Sequence, residues 1–179
     1  VKMNRIWAMP NKNTFTIKPI NELVRRVITL EKAKKCLVGC VVIDPFARNS
    51  CVADLCDWTN DLDETCDTTH HLESLTFLKS FEDESVDVIL FDPPYSPRQI
   101  SECYKQVGRE VHMKDTQSSF YGDRKKEIAR VLKPGGKAVC FGWNSGGIGK
   151  TSGMELIEVL LVPHGGAHND TICTVEVKR

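Results

Sequence analysis

Two near-continuous apolar runs, each ending in an acid, constrain the fold of this chain most. One is CLVGCVVID, ending at Asp44, and the other is VDVILFD, ending at Asp92. Such runs do not alternate apolar and polar residues. They mark central parallel strands buried on both faces. Helical periodicity appears beside them. Residues 20–35 (INELVRRVITLEKAKK) place Ile20, Leu23, Val24, Val27 and Ile28 on one face. Ser74, Leu75, Phe77, Leu78 and Phe81 form a second apolar face. Alternating buried strands and helices predict a doubly wound α/β sheet. Ligands of such sheets bind outside the carboxyl ends of the strands, so Asp44 and Asp92 are both expected to face that crevice.

The rest of the chain fits this plan. Residues 1–19 read as an extended arm and 47–57 as a short helix. Residues 58–69 are polar and turn-rich, with a short second strand ending near Asn60 and Asp61. His70, His71 and Leu72 read as a short edge strand or turn leading into the next helix. Residues 96–122 have no clear period and read as a long functional or mobile loop. DRKKEIARVL is an amphipathic helix stopped by Lys133, Pro134, Gly135 and Gly136. GKAVCFGW is a strand, followed by the glycine-rich loop 144–153. Residues 154–163 and 171–178 read as the last two strands, joined by HGGAHND. There is no internal repeat and no linker, so residues 1–179 are expected to form one domain.

The corner after VDVILF carries the chemistry. Asp92, Pro93, Pro94 and Tyr95 present an acid, a backbone carbonyl and an aromatic ring together. An exocyclic amine on a nucleobase is a poor nucleophile because its lone pair is delocalised into the ring. Accepting its two hydrogens on the Asp92 carboxylate and the Pro93 carbonyl draws it towards a tetrahedral geometry. Tyr95 is suited to stack on the base, as flipped bases are held between aromatic side chains. The alternative is a strand-ending turn whose Asp caps the next helix.

This corner resembles the DPPY signature of S-adenosylmethionine-dependent amino-methyltransferases acting on adenine in nucleic acid. VVIDPFARNS is similar to that family's first motif, DPF-A-G-S-G. Thr16, Ile17, Lys18 and Pro19 resemble the T-x-K-P segment that precedes it. The resemblance runs from about Thr14 to Phe141. It implies a Rossmann-like, mostly parallel seven-stranded sheet with an antiparallel last strand, and S-adenosylmethionine as cofactor. Asp44 would contact the methionine amino group and Phe46 would line the cofactor cavity, with Pro45 in the same motif. The turn Ala47–Asn49 would bring backbone amides to the carboxylate end. Thr16, Lys18 and Pro19 would help to hold the methionine part. Asp61 would take the ribose hydroxyls, with Asp63 in reserve, although either acid also suits a turn cap. Glu73 and Ser74 match the position where the family reads the cofactor's adenine edge, although Glu73 also suits helix-dipole stabilisation. The chain departs from the family at Arg48 and Asn49, where glycine usually permits positive φ and close approach.

Composition narrows the partners. The chain has 24 basic and 24 acidic residues, so it lacks the basic footprint of a strong free-standing DNA binder. Contact with DNA, the expected substrate, would fall to local clusters. One is Arg25, Arg26, Lys32, Lys34 and Lys35; the other is Arg124, Lys125, Lys126, Arg130 and Lys133. Each also reads as a solvated helix face. Neutral charge points towards a homodimer or specificity partner that extends the basic surface. No apolar stretch approaches the roughly 18 residues of a membrane span. Cys36, Cys40, Cys140 and Cys173 read as small core residues, in keeping with reduced thiols in a cytoplasmic protein. Cys51, Cys56 and Cys66 with His70 and His71 fit no standard zinc spacing, so no metal is expected.

One further pattern competes. Asn144 to Thr151 approaches a phosphate-cradling loop, but asparagine stands at the first glycine position and Gly153 interrupts the helix that should follow. It reads instead as the connection leaving the fifth strand, with Trp143 and Asn144 flanking the target base or Trp143 simply packed. His164, His168 and Asn169 either approach the substrate or form a plain hairpin turn. Gln117, Ser118 and Ser119 are similarly open.

Overall fold

The structure, a computed structural model, describes residues 1–35 and 39–179. Its described residues form one seven-stranded sheet: β1 (Lys2–Arg5), β2 (Val42–Asp44), β3 (Trp58–Thr59), β4 (Val86–Phe91), β5 (Leu132–Gly142), β6 (Met154–Val162) and β7 (Thr171–Lys178). Across the sheet they lie in the order β1-β6-β7-β5-β4-β2-β3. The pairs β1–β6, β2–β3, β2–β4 and β4–β5 are parallel, and β7 is antiparallel to both of its neighbours. The expected architecture therefore holds.

Four helices cover the two faces: α1 (Lys18–Lys34), α2 (Ser74–Lys79), α3 (Pro97–Gln106) and α4 (Ser119–Val131). On one face, Ile20, Val24, Val27 and Ile28 of α1 meet Val88, Leu90, Val139 and Val175 of the strands. On the other, Phe77 and Leu78 of α2 and Ile128 and Val131 of α4 meet Ile43, Ile89 and Ala138. Strands β2 and β4 supply side chains to both clusters, which is why their sequences are apolar without alternation. Phe77 is fully buried, worth about 2–3 kcal/mol of transfer free energy.

The amino end of the sheet is held by buried acids. Asp87 accepts from Lys35 Nζ at 2.6 Å, Lys133 Nζ at 2.9 Å and the Val41 amide at 2.8 Å. Glu31 accepts from Lys34 Nζ at 2.8 Å and Lys137 Nζ at 2.6 Å. These ammonium groups hold both carboxyls below the ordinary value against the opposing effect of burial.

Four expectations change. Of the two readings of His70–Leu72, the turn holds and the edge strand does not; an isolated bridge joins Asn60 to His70 there, and the seventh strand lies elsewhere. It is β1, at the opposite edge beside β6. β1 has no buried side chain, so it carries no apolar alternation, and backbone pairing defines it. Residues 47–57 contain one 3-10 turn, Ala53–Leu55, rather than an α-helix. Arg48 there has a left-handed φ of 48°, and the Ser50 hydroxyl accepts the Val52 amide at 3.2 Å, which diverts the backbone from helical bonding. Residues 96–122 are not one loop, because α3 occupies their first part. Ser96 caps α3, accepting the Gln99 amide at 3.3 Å, and Pro97 opens it. Its buried face is only Ile100 and Tyr104, too narrow for a clear period. The first expected strand is shortened to β2, and its opening residues, Cys36 included, lie outside the described residues.

Candidate functional site

The sheet reverses its winding between β2 and β4. From β2 the chain steps outward to β3, then returns to the other side of β2 to form β4. Crevices of doubly wound sheets form at such a switch point. Asp44 ends β2 and Asp92 follows β4, so the two acids flank this crevice. Its walls are Thr14, Phe15 and Thr16 from the arm and residues 46–51 from the loop after β2, with Asp92 at one end.

Asp44 is fully buried. Its Oδ1 accepts the Phe46 amide at 3.0 Å, while Oδ2 has no hydrogen-bond partner among the described residues. Burial pushes its carboxyl up to about 8, and the negative charges of Asp92 and Asp61 add to the rise. Leaving a buried carboxyl oxygen unpaired is costly.

The loop after β2 is clamped from below. Asn60 donates from Nδ2 to the Pro45 carbonyl at 3.1 Å and the Leu72 carbonyl at 3.0 Å. Its backbone carbonyl accepts the Ala47 amide at 2.9 Å. Asp61 Oδ2 accepts the Arg48 amide at 3.1 Å, and Asp61 Oδ1 accepts the Asp63 amide at 2.9 Å. Asn49 Oδ1 accepts the Asp67 amide at 2.9 Å. The amides of Phe46, Ala47 and Arg48 are therefore all bonded within the protein.

Asp92 is half-buried, and withdrawal from water raises its carboxyl. The Tyr95 and Thr14 hydroxyls pull it back down. The Tyr95 hydroxyl donates to Asp92 Oδ1. Gln99 Oε1 accepts the Tyr95 amide at 2.6 Å, and the Tyr121 hydroxyl donates to the Pro94 carbonyl at 2.6 Å. Trp143 meets the Tyr95 ring edge to face at 5.7 Å and stays 42 % exposed. Pro93 is buried in the corner.

The structure thus brings Thr16, Phe46, Ala47, Asn49 and Asp92 into one crevice, with Tyr95 bonded to Asp92, while Asp44 is buried at the end of β2 and does not line it. Pro45 is buried beneath the loop, and Asp61 fixes the turn from outside. Lys18 and Pro19 form the first turn of α1, Lys18 exposed and Pro19 buried. Glu73 and Ser74 are engaged elsewhere. Glu73 caps α2, accepting the Leu75 amide at 2.8 Å, and pairs with Arg124. Arg124 Nε also donates to the Ser74 hydroxyl at 2.6 Å. Thr14, Gln99 and Tyr121 were not anticipated. Gln99 carried a readable signal, four residues beyond Tyr95 and just inside a Ser-Pro helix start.

The glycine-rich loop after β5 has an internal occupant. Glu176, on β7, accepts the Ile148 amide at 2.6 Å and the Gly149 amide at 3.0 Å. Gly147 has a φ of +52°, and a Cβ there would lie 2.2 Å from Glu176 Oε2. The loop resembles an anion cradle because it is one, filled by the chain's own carboxylate. His164 is likewise structural. One ring nitrogen lies 2.9 Å from the Ala8 carbonyl and the other 2.9 Å from the Thr171 hydroxyl, which ties the arm to the sheet edge.

The basic clusters are largely neutralised. Arg25, Arg26, Lys34 and Lys35 pair with Asp54, Glu158, Glu31 and Asp87. Arg124, Lys126, Arg130 and Lys133 pair with Glu73, Asp123, Asp83 and Asp87. Among the described residues, no helix is long and apolar enough to cross a membrane.

No family model matches the chain's sequence, and no curated protein matches it. Solved structures share its fold. TrmN from Thermus thermophilus superposes with a TM-score of 0.57 at 18 % identity, covering 91 % of this chain and 49 % of TrmN. The 1,6-didemethyltoxoflavin-N1-methyltransferase of Burkholderia thailandensis, solved with its substrate and S-adenosylhomocysteine bound, gives 0.54 at 12 % identity, covering 86 % and 77 %. A methyltransferase homologue from Pyrococcus horikoshii gives 0.51 at 15 % identity, covering 79 % and 62 %. The chain spans about half the length of TrmN. At these identities the likeness is one of fold.

Proposed function

We propose that this chain transfers the methyl group of S-adenosylmethionine to the exocyclic amine of adenine in DNA. The observation that carries the reading is the placement of Asp44 and the Asp92–Tyr95 corner on either side of the switch point, with Asp44 Oδ2 buried and unpartnered among the described residues. A cofactor ammonium would satisfy that oxygen, and Phe46 would form an apolar wall beside it. The methyltransferase fold of the similar structures supports the same cofactor.

When bound, S-adenosylmethionine supplies a methyl group on a positively charged sulfur. The chain's own residues prepare the amine to receive it. Asp92 and the Pro93 carbonyl accept its two hydrogens, which frees the nitrogen lone pair from the ring. Tyr95 stacks on the base, and Trp143 closes the side of that slot. The nitrogen lone pair would then be free to take that methyl group, with sulfur keeping the electron pair of the bond it gives up. The nitrogen would then lose a proton, with Asp92 as its acceptor. Its raised pKa makes it a better acceptor than an ordinary carboxylate. Holding the amine in line supplies much of the rate.

A second reading keeps the reaction and changes the carrier of the amine. The ion pairing of most clustered basic residues favours it, because DNA affinity depends on free cations. A cytosine amine, an RNA base or a protein glutamine amide is then the acceptor; a non-catalytic binding module is a separate alternative, without transfer. The test is transfer of a labelled methyl group to DNA, RNA and protein pools, with Asp92→Ala in parallel. Label on adenine in DNA, lost in Asp92→Ala, supports the first reading. Label in another pool supports the second. Cofactor binding with no transfer to any pool supports the binding module.

A further inference from the structure

We infer that Arg48 is the cation that binds the cofactor's methionine carboxylate, in place of the backbone amides that a glycine-rich loop would offer. The inference rests on the cofactor reading above. The turn after β2 lines the crevice, yet its amides at Phe46, Ala47 and Arg48 already donate to Asp44 Oδ1, the Asn60 carbonyl and Asp61 Oδ2. A carboxylate arriving at these three amides finds no free donor, which leaves the amides of residues 49–51 and the Arg48 side chain to receive it. It also arrives beside Asp92, whose ionised form repels it. The methionine end of the cofactor carries both an ammonium and a carboxylate. Asp44 Oδ2 suits the first and cannot serve the second.

Arg48 meets the remaining need. It lines the crevice, is exposed, and lies close enough for its charge to depress the Asp92 carboxyl. It is held at a φ of 48°, a region that bulky residues rarely adopt. Strain of this kind persists where surrounding structure over-determines it, and Asp61 supplies that constraint by accepting the Arg48 amide. A guanidinium presents a planar fork matched to a carboxylate. Lys12 also lines the crevice, but from the arm, without a comparable clamp on its backbone.

Calorimetry with two ligands tests this. One is S-adenosylhomocysteine; the other is S-adenosyl-3-thiopropylamine, the same molecule without its carboxylate. The wild-type chain should prefer the first by about tenfold or more, the scale of one charge-assisted pair. Arg48→Ala should abolish that preference by weakening only the first ligand, and Arg48→Lys should restore part of it. Arg48→Gly should raise the melting temperature by relieving the strained φ while still weakening S-adenosylhomocysteine. Lys12→Ala should change neither ligand by more than about threefold. Undiminished preference in Arg48→Ala, equal loss of both ligands, or tighter binding by Arg48→Gly would each overturn the inference while leaving the cofactor reading intact. Failure of the wild-type chain to bind either ligand would overturn both.

Discussion

The Tyr95 hydroxyl donates to Asp92 Oδ1, so the aromatic ring and the acid of one corner are bonded to each other. On the proposed mechanism the substrate amine takes over this acceptor. The bond also favours the ionised form of Asp92. Tyr95→Phe keeps the ring and removes the donor, so the Asp92 carboxyl should rise further. On the proposed mechanism Asp92 acts ionised, so activity should fall on the acid side. The pH–rate profile of Tyr95→Phe should show that acid limb moved to higher pH, with activity retained above it. Tyr95→Ala, which loses the stack as well, should lose roughly 1–3 kcal/mol of substrate binding.

Asp44 ties stability to pH. Burial raises its folded pKa to about 8, above its ordinary value of 3.8. Between those values the folded state holds a proton that the unfolded state has released. Stability without ligand should therefore fall as pH rises from about 4 to about 8. Thermal melts across this window should show a flatter dependence for Asp44→Asn. Binding of a cationic ammonium reverses the preference, so S-adenosylhomocysteine should stabilise the wild-type chain more at pH 8 than at pH 6.

The filled glycine-rich loop makes a stability prediction. Glu176→Ala leaves the Ile148 and Gly149 amides without their acceptor. The cost should be roughly 2–4 kcal/mol in denaturant unfolding. Gly147→Ala should also destabilise, because its Cβ meets Glu176 at a φ that favours glycine. Neither substitution should alter binding of S-adenosylhomocysteine by more than about threefold, because neither residue lines the crevice.

The Glu73–Arg124 pair joins the start of α2 to α4. Arg124→Met removes the partner of Glu73, a donor to Ser74 and the cation over the Phe120 ring. Glu73 keeps 19 % exposure, so the loss should be roughly 2–4 kcal/mol, the lower part of the range for breaking a buried pair. If Glu73 holds only this network, Glu73→Gln should lower the melting temperature while leaving affinity for S-adenosylhomocysteine unchanged.

How much of this was readable depended on whether local pattern or distant pairing fixed each element. The strands at 86–91 and 171–178 are visible because burial requires apolar residues along them. The crevice acids follow from the same pattern, since each ends such a run. β1 was hidden because its hydrogen bonds go to β6, far along the chain, and its side chains face water. α3 was hidden because Ile100 and Tyr104 alone pack against Phe120. Arg48 was read as a defect in a glycine-rich motif. Its left-handed φ and the commitment of the neighbouring amides are consequences of Asn60 and Asp61, which no local rule connects to the loop.

The attachment of the arm to the far edge of the sheet has a consequence for the order of folding. β1 pairs with β6, and Ala8 is held by His164, so the arm finds its anchors only in the last part of the chain. Between them it carries Thr14, Phe15 and Thr16 to the crevice, where Phe15 packs on Phe141 of β5. This wall therefore depends on pairings that join residues 2–8 to residues 158–164. Contacts so distant in sequence form slowly. The central strands and their helices should gain amide protection first, with the crevice wall closing as one of the final steps.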